Sequence, residues 1–393
     1  VKYDFDTKVD RKNTNSLKWK VADNELPMWV ADMDFKTAPE IQTAIMEKAK
    51  EGVYGYSVIP DEWYRAYMGW WKNRHDLEIQ KEWLIFSTGV ITYITSIVRK
   101  LTTPAEKVLI QTPVYNIFFN CILNNGRRVV ENTLKYDGEN YEINFEDLEE
   151  KLADPQTSMM ILCNPHNPVG RIWSREELKR IGELCKQYNV IVISDEIHCD
   201  LTDPGCDYIP FASVSEVCRD NSITCVAPTK AFNLAGMQSS AVIIPNKVLR
   251  HKVWRGLNTD EVAEPNFFAV DAAIAAFTKG EDWLNELREY IFNNKNIVTE
   301  FVKNEVPSIK VVLSHATYLL WLDCQNVKGV DSGLAEFIRK ETGLYITAGI
   351  HYGKSGSEFM RMNIACPQEV LRDGLARLKQ GISAYEKREE KDA

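Results

Sequence analysis

The chain has 393 residues, of which 45% are hydrophobic and 26% charged, the balance of an ordinary globular protein of two or three domains. No run approaches the ~18 apolar residues of a membrane span. With a net charge of -9 and scattered Lys and Arg, the chain also lacks the basic footprint of nucleic-acid binding, so a small-molecule substrate is expected, with no membrane and no nucleic-acid partner.

The N-terminal stretch VKYDFDTKVDRK is polar and has no signal-peptide core, which points to a cytoplasmic protein. Val1 at its start implies that an initiator Met is missing. Residues 1–50 are expected to join a smaller C-terminal domain, 51–285 to form the large domain and 286–393 the small one. From 83 to 245, short apolar runs alternate with amphipathic stretches: WLIFS (83–87), KVLIQ (107–111), RVVEN (128–132), SMMILC (158–163), NVIVIS (189–194), SITCVA (222–227) and SAVIIP (240–245). Such near-continuous, β-branched runs mark strands buried on both faces.

Between two of these runs, Ser174 to Tyr188 predicts a helix opened by a Ser174/Glu177 capping box, with Leu178, Ile181, Leu184 and Cys185 on one face. Alternation of strand and helix requires crossovers. The fold class is therefore α/β, a mainly parallel sheet flanked by helices plus a smaller α/β unit. A long helix begins near 283, followed by VVLSHATYLLWLDC (311–324), a helix around 334–340, FMRMNIAC (359–366) and a final helix. The tail KREEKDA (387–393) reads as a frayed end.

The nine cysteines form no CxxC pair and no paired Cys/His zinc spacing, so most of them read as buried thiols of a reducing compartment, and no metal is expected. GIHYGKS (349–355) is one residue short of a P-loop, and no GxGxxG opens a helix.

Ligands of an open parallel sheet bind beyond the carboxyl ends of its strands. The residues there are polar and specific: Thr88-Gly89-Val90 after the first run, Thr112 to Tyr115 after the second, Asn164 to Gly170 after the fourth, Asp195 to His198 after the fifth and Pro228-Thr229-Lys230 after the sixth. An anion seat, an aromatic, an amide, a carboxylate and a lysine converge on one rim. Taken singly, each has a structural explanation as turn, cap or surface charge; together they predict an active site.

At these positions the chain resembles the fold type I pyridoxal 5'-phosphate (PLP) enzymes of the aminotransferase class I/II superfamily, more narrowly the cystathionine β-lyases of the MalY and PatB type. The resemblance rests on LPMWVADMDF (26–35), GVYGYS (52–57), NPHNPVG (164–170), ISDEIHCD (193–200), APTKAFNLAG (227–236) and FMRMNIACP (359–367). It implies that Lys230 is the lysine that holds the cofactor covalently and acts as the base, that Asp195 faces the ring nitrogen, and that Asn167 donates to the ring oxygen. Further implied are Tyr115 stacked on the ring, Gly89, Val90 and Thr229 at the phosphate, and His198 where many aminotransferases have a tyrosine. By the same resemblance Arg361 clamps the substrate carboxylate with Ala31 nearby, and Tyr56 reaches the phosphate from the other subunit of a homodimer. The expected reaction is cleavage of L-cystathionine or a related cysteine S-conjugate. Transamination is the alternative, and a regulatory PLP-bound protein a third reading.

Overall fold

A computed structural model describes residues 2–391; Val1, Asp392 and Ala393 lie outside the described residues. The seven apolar runs form the strands of one sheet: β1 (Leu84–Ser87), β2 (Lys107–Ile110), β3 (Arg128–Glu131), β4 (Thr157–Cys163), β5 (Ile191–Asp195), β6 (Ser222–Val226) and β7 (Ser240–Ile243). Their order is β1-β7-β6-β5-β4-β2-β3. All pairings are parallel except those of β7, which runs antiparallel to β1 and β6.

The near-continuous apolar runs follow from this burial. Successive residues of β4 point to opposite faces: Met159 and Ile161 pack in one core, Met160 and Leu162 in another. The first core receives helix α1 (Val90–Leu101) through Tyr93, Ile94 and Ile97; the second receives α2 (Arg175–Gln187) through Leu178, Ile181 and Cys185. The capping box of α2 is formed as predicted, with Glu177 N donating to Ser174 Oγ at 3.1 Å and Ser174 N to Glu177 Oε2 at 2.7 Å. β3 departs from the expectation of burial on both faces. It is the last strand of the sheet, and its residues are half-buried or exposed.

Helix α3 (Glu281–Glu305) is continuous through residue 285, where a domain boundary is expected. Beyond it, β8 (Lys310–Val311), β9 (Leu319–Asp323), β10 (Thr347–Ala348) and β11 (Phe359–Asn363) form an antiparallel sheet in the order β8-β9-β11-β10, with α4 (Leu334–Thr342) and α5 (Gln368–Lys391) beside it. The expectation that the tail 387–393 frays is corrected over 387–391, while Asp392 and Ala393 lie outside the described residues. α5 carries its helical backbone through Lys391, continuing an amphipathic helix whose Leu371, Leu375, Leu378 and Ile382 are buried. Part of the N-terminal segment pairs with this second unit, Leu26–Pro27 running parallel to Leu344–Tyr345, whereas its helix Pro39–Lys50 packs against the helix Ala269–Lys279.

Cys163, Asp195 and Cys225 are register partners at the ends of β4, β5 and β6. Because those three strands stop level, the loops that follow them open on one rim. Gly170 closes the loop after β4 with φ +69°, and a Cβ there would lie 2.4 Å from the Cβ of Ser314. Its carbonyl accepts from the amides of His315 and Ala316 at 2.9 and 3.1 Å, which sets the loop against the segment entering β9. Eight of the nine unpaired cysteines are buried and Cys206 is half-buried. Among the described residues no helix is long and apolar enough to cross a membrane.

Candidate active site

The rim encloses a cavity of about 280 Å³ lined by Ala31, Gly89, Val90, Tyr115, Asn167, Asp195, His198, Thr229 and Lys230. Nine of the eleven residues singled out in the sequence thus meet in one place. Arg361 joins them from β11: it is buried, and its NH1 donates to Asn167 Oδ1 at 3.2 Å. Tyr56 does not reach the cavity within one chain. It stands fully exposed on the irregular segment before Asp61, together with Val53, Tyr54 and Val58.

Lys230 follows β6, and its Nζ donates to the carbonyl of Ala31 at 2.7 Å. Burial first, and then the Arg361 cation, bring its pKa down to about 8, against the pull of Asp32 and Asp195. That carbonyl also accepts from the Tyr318 hydroxyl at 3.0 Å, which fixes the lysine's landing point. Asp195 ends β5 and accepts from the amide of Ile197 at 3.2 Å. Burial pushes its pKa up to about 7, while that amide and Lys230 favour the charged form.

His198 is held neutral: burial, then Lys230 and Arg361, bring its pKa down to about 3, and its Nδ1 is buried without a partner. Burial likewise keeps the Tyr115 phenol protonated, its pKa pushed up to about 12. Arg361 NH2 donates to the carbonyl of Trp29 at 2.8 Å, whereas its Nε is buried and unpartnered. α1 begins at Val90 with no side-chain cap, and Gly89, Val90, Ile91 and Thr92 at its start line the cavity together with Thr229.

The sequence profile of the family Aminotransferase class I and II matches residues 25–378. The chain belongs to that family. It is 42% identical over 385 residues to cystathionine beta-lyase PatB of Bacillus subtilis (strain 168), covering 96% of this chain and 100% of that one. Protein MalY of Escherichia coli (strain K12) is 32% identical over 390 residues, covering 97% and 99%. The crystal structure of cystalysin from Treponema denticola, which contains a pyridoxal 5'-phosphate cofactor, matches with a TM-score of 0.94 at 34% identity, covering 98% of this chain and all of that one.

The residues of this class I and II family member fit such a cofactor. An uncapped helix start is an anion seat for a phosphate, and at Gly89 a Cβ would come within 3.2 Å of Thr92 Oγ1. The buried carboxylate of Asp195 suits a ring nitrogen that carries a proton, the Asn167 amide suits a ring oxygen, and Lys230 suits an aldehyde. A metal fits less well. Among the described residues one group, His75, Cys199 and Asp200, brings ligand atoms within 4.8 Å of one another. There Asp200 Oδ1 is already paired with Arg74 Nε at 3.1 Å and His75 Nε2 at 2.8 Å.

Some site residues were missed in the sequence. Gln238 and Ser239 also line the cavity, and no pattern in the run before β7 marks them. Asn363 holds the segment opposite Lys230, its Nδ2 donating to the carbonyls of Val30 and Asp32 at 2.6 and 2.7 Å. It lies two residues after Arg361 on one strand and so shares its face, a period-2 signal that was available.

Proposed function

We propose that this chain is a PLP-dependent carbon–sulfur β-lyase that cleaves L-cystathionine or a related cysteine S-conjugate, with water, to a thiol, pyruvate and ammonia. The observation that carries the reading is the meeting of Lys230, Asp195, Asn167 and Arg361 around one cavity. The choice of elimination rests on the likeness to PatB, named as a cystathionine beta-lyase.

When bound, PLP supplies an electron sink for the pair left at the substrate α-carbon, which allows a β-thiolate to depart. The protein's part follows from its own groups. Lys230, with a pKa near 8, is a substantial fraction neutral at physiological pH and can take the α-proton on Nζ. Asp195 would hold a proton on the ring nitrogen. Asn167 spends its Oδ1 on Arg361, which leaves Nδ2 to donate to the ring oxygen. Neutral His198 adds no charge beside the lysine. Arg361, steadied by Trp29 O and Asn167 Oδ1, offers its remaining N–H groups to the α-carboxylate as a planar fork. A thiolate, with a free pKa of about 8.5, leaves readily near neutral pH.

Purified enzyme given L-cystathionine should release pyruvate, ammonia and homocysteine in equal amounts with no keto acid added. Turnover of amino acids only when 2-oxoglutarate or pyruvate is supplied, with no thiol released from any cysteine conjugate, would replace this reading with an aminotransferase.

The active unit is proposed to be a homodimer in which Tyr56 reaches the neighbouring cavity. The support is its full exposure on a segment that also exposes Val53, Tyr54 and Val58, an apolar cluster that isolated subunits rarely present to water. Mixing inactive Lys230→Ala with inactive Tyr56→Ala subunits should restore part of the activity, because a hybrid dimer has one intact site. Verified subunit exchange without recovery would mean that each site is built within one chain.

A further inference from the structure

The motif LPMWVADMDF (26–35) contains two aspartates that the proposed reaction leaves without a task. They sit on a strap, residues 29–34, whose backbone meets both cations of the site. Trp29 O accepts from Arg361 NH2 at 2.8 Å, and Ala31 O from Lys230 Nζ at 2.7 Å.

On its other side the strap is gripped by the N-terminal segment. Arg11 reaches Asp32 Oδ2 at 2.8 Å and Asp34 Oδ1 at 2.9 Å, and also donates to Met33 O at 3.1 Å. Lys18, only 1% exposed, donates to Asp34 Oδ2 at 2.7 Å and to Asp32 O at 3.3 Å. Trp19 Nε1 completes the set, 2.8 Å from Asp34 Oδ1. Two cations thus oppose two carboxylates. Desolvating such a cluster is costly, and apolar residues of similar volume would pack a strap at least as stably. A network kept in spite of that cost points to a task of geometry and charge.

We infer that Arg11 and Lys18 are positioning residues for the site: they lock the strap so that its carbonyls orient Lys230 and Arg361, and they cancel the charge of Asp32 beside the lysine. The groups that face Lys230 are Asp32 from the strap, Asp195 from β5, Arg361 from β11 and, after β5, the neutral His198. Asp32 is the member of this set that Arg11 holds. Removing Arg11 therefore uncovers negative charge near the lysine and raises the proton affinity of its nitrogen, whereas removing the charge of Asp32 lowers it.

The inference rests on Lys230 being the PLP lysine. The test is a pH titration of the visible absorption of the PLP-loaded protein, compared among wild type, Arg11→Met, Arg11→Lys and Asp32→Asn. The midpoint should rise by about half a unit or more in Arg11→Met, fall in Asp32→Asn and stay near wild type in Arg11→Lys. Hydrogen exchange at residues 29–34, measured before PLP is added, should quicken in Arg11→Met. Midpoints that do not move, or that move in the same direction in Arg11→Met and Asp32→Asn, would overturn the inference, as would unchanged exchange. If Arg11→Met does not fold, Asp32→Asn decides by the presence or absence of its downward shift. A wild-type protein whose borohydride-reduced PLP adduct maps to a lysine other than Lys230 would instead sink the reading of Lys230, and the inference with it.

Discussion

Lys230→Ala should lower turnover of L-cystathionine by at least about a thousandfold, or some 4 kcal/mol of barrier. Two losses combine in this variant. The amine that would hold the cofactor disappears, and so does the proposed base for the α-proton; of the other titratable groups in the cavity, Asp195 is assigned to the ring nitrogen, and neither His198 nor Tyr115 has a suitable proton affinity. His198, which lines the cavity, has a pKa near 3 and binds a proton too weakly, while Tyr115 stays protonated up to about 12. Steady-state kinetics on the purified variant decide the matter. A rate within about tenfold of wild type, roughly 1.4 kcal/mol, would mean that another group is the base.

Asp195→Ala is expected to cost nearly as much for a different reason. A ring nitrogen facing a buried carboxylate keeps its proton, because the charge-assisted pair lies in a site that water does not screen. With alanine in place of Asp195 the nitrogen loses that proton and the site its electron-withdrawing power, so turnover should fall by about three orders of magnitude, again some 4 kcal/mol. Asp195→Glu should also be impaired, since Asp195 lies at a fixed register between Cys163 and Cys225. Full activity in the alanine variant would remove Asp195 from the mechanism. The pH profile gives a further check. Lys230 is a base only when neutral, so the rate should increase with pH through the region where the lysine loses its proton, near 8 in the absence of ligands.

Much of this architecture was legible in the sequence, and the reasons are physical. Strands covered on both faces admit few polar residues, so β1, β2 and β4 to β7 announced themselves as apolar runs. Where those runs end, residues whose combination no turn or cap requires stand in sequence: Gly89, Tyr115, Asn167, Asp195 and Lys230. Periodicity could locate these residues, while their roles came from resemblance to a family.

What could not be read depends on contacts across the chain. Lys18 looks like any surface lysine in SLKWK, yet it is buried because Asp34 and the strap close over it. The strap has no strand residues of its own; the two-residue strand just before it, Leu26–Pro27, is held by Leu344–Tyr345 more than 300 positions away, too short and too remote for a local pattern. Arg361 enters the site through the antiparallel pairing of β11 with β9 and β10. Its partners Trp29 and Asn167 are each more than 190 positions distant.

The most direct test of the central claim is to identify the lysine that carries the cofactor. Purified protein incubated with PLP should be yellow, lose that colour on borohydride reduction, and yield on digestion one pyridoxyl-modified peptide containing Lys230. A stable adduct on a different lysine, or no adduct from protein that retains lyase activity, would contradict the account.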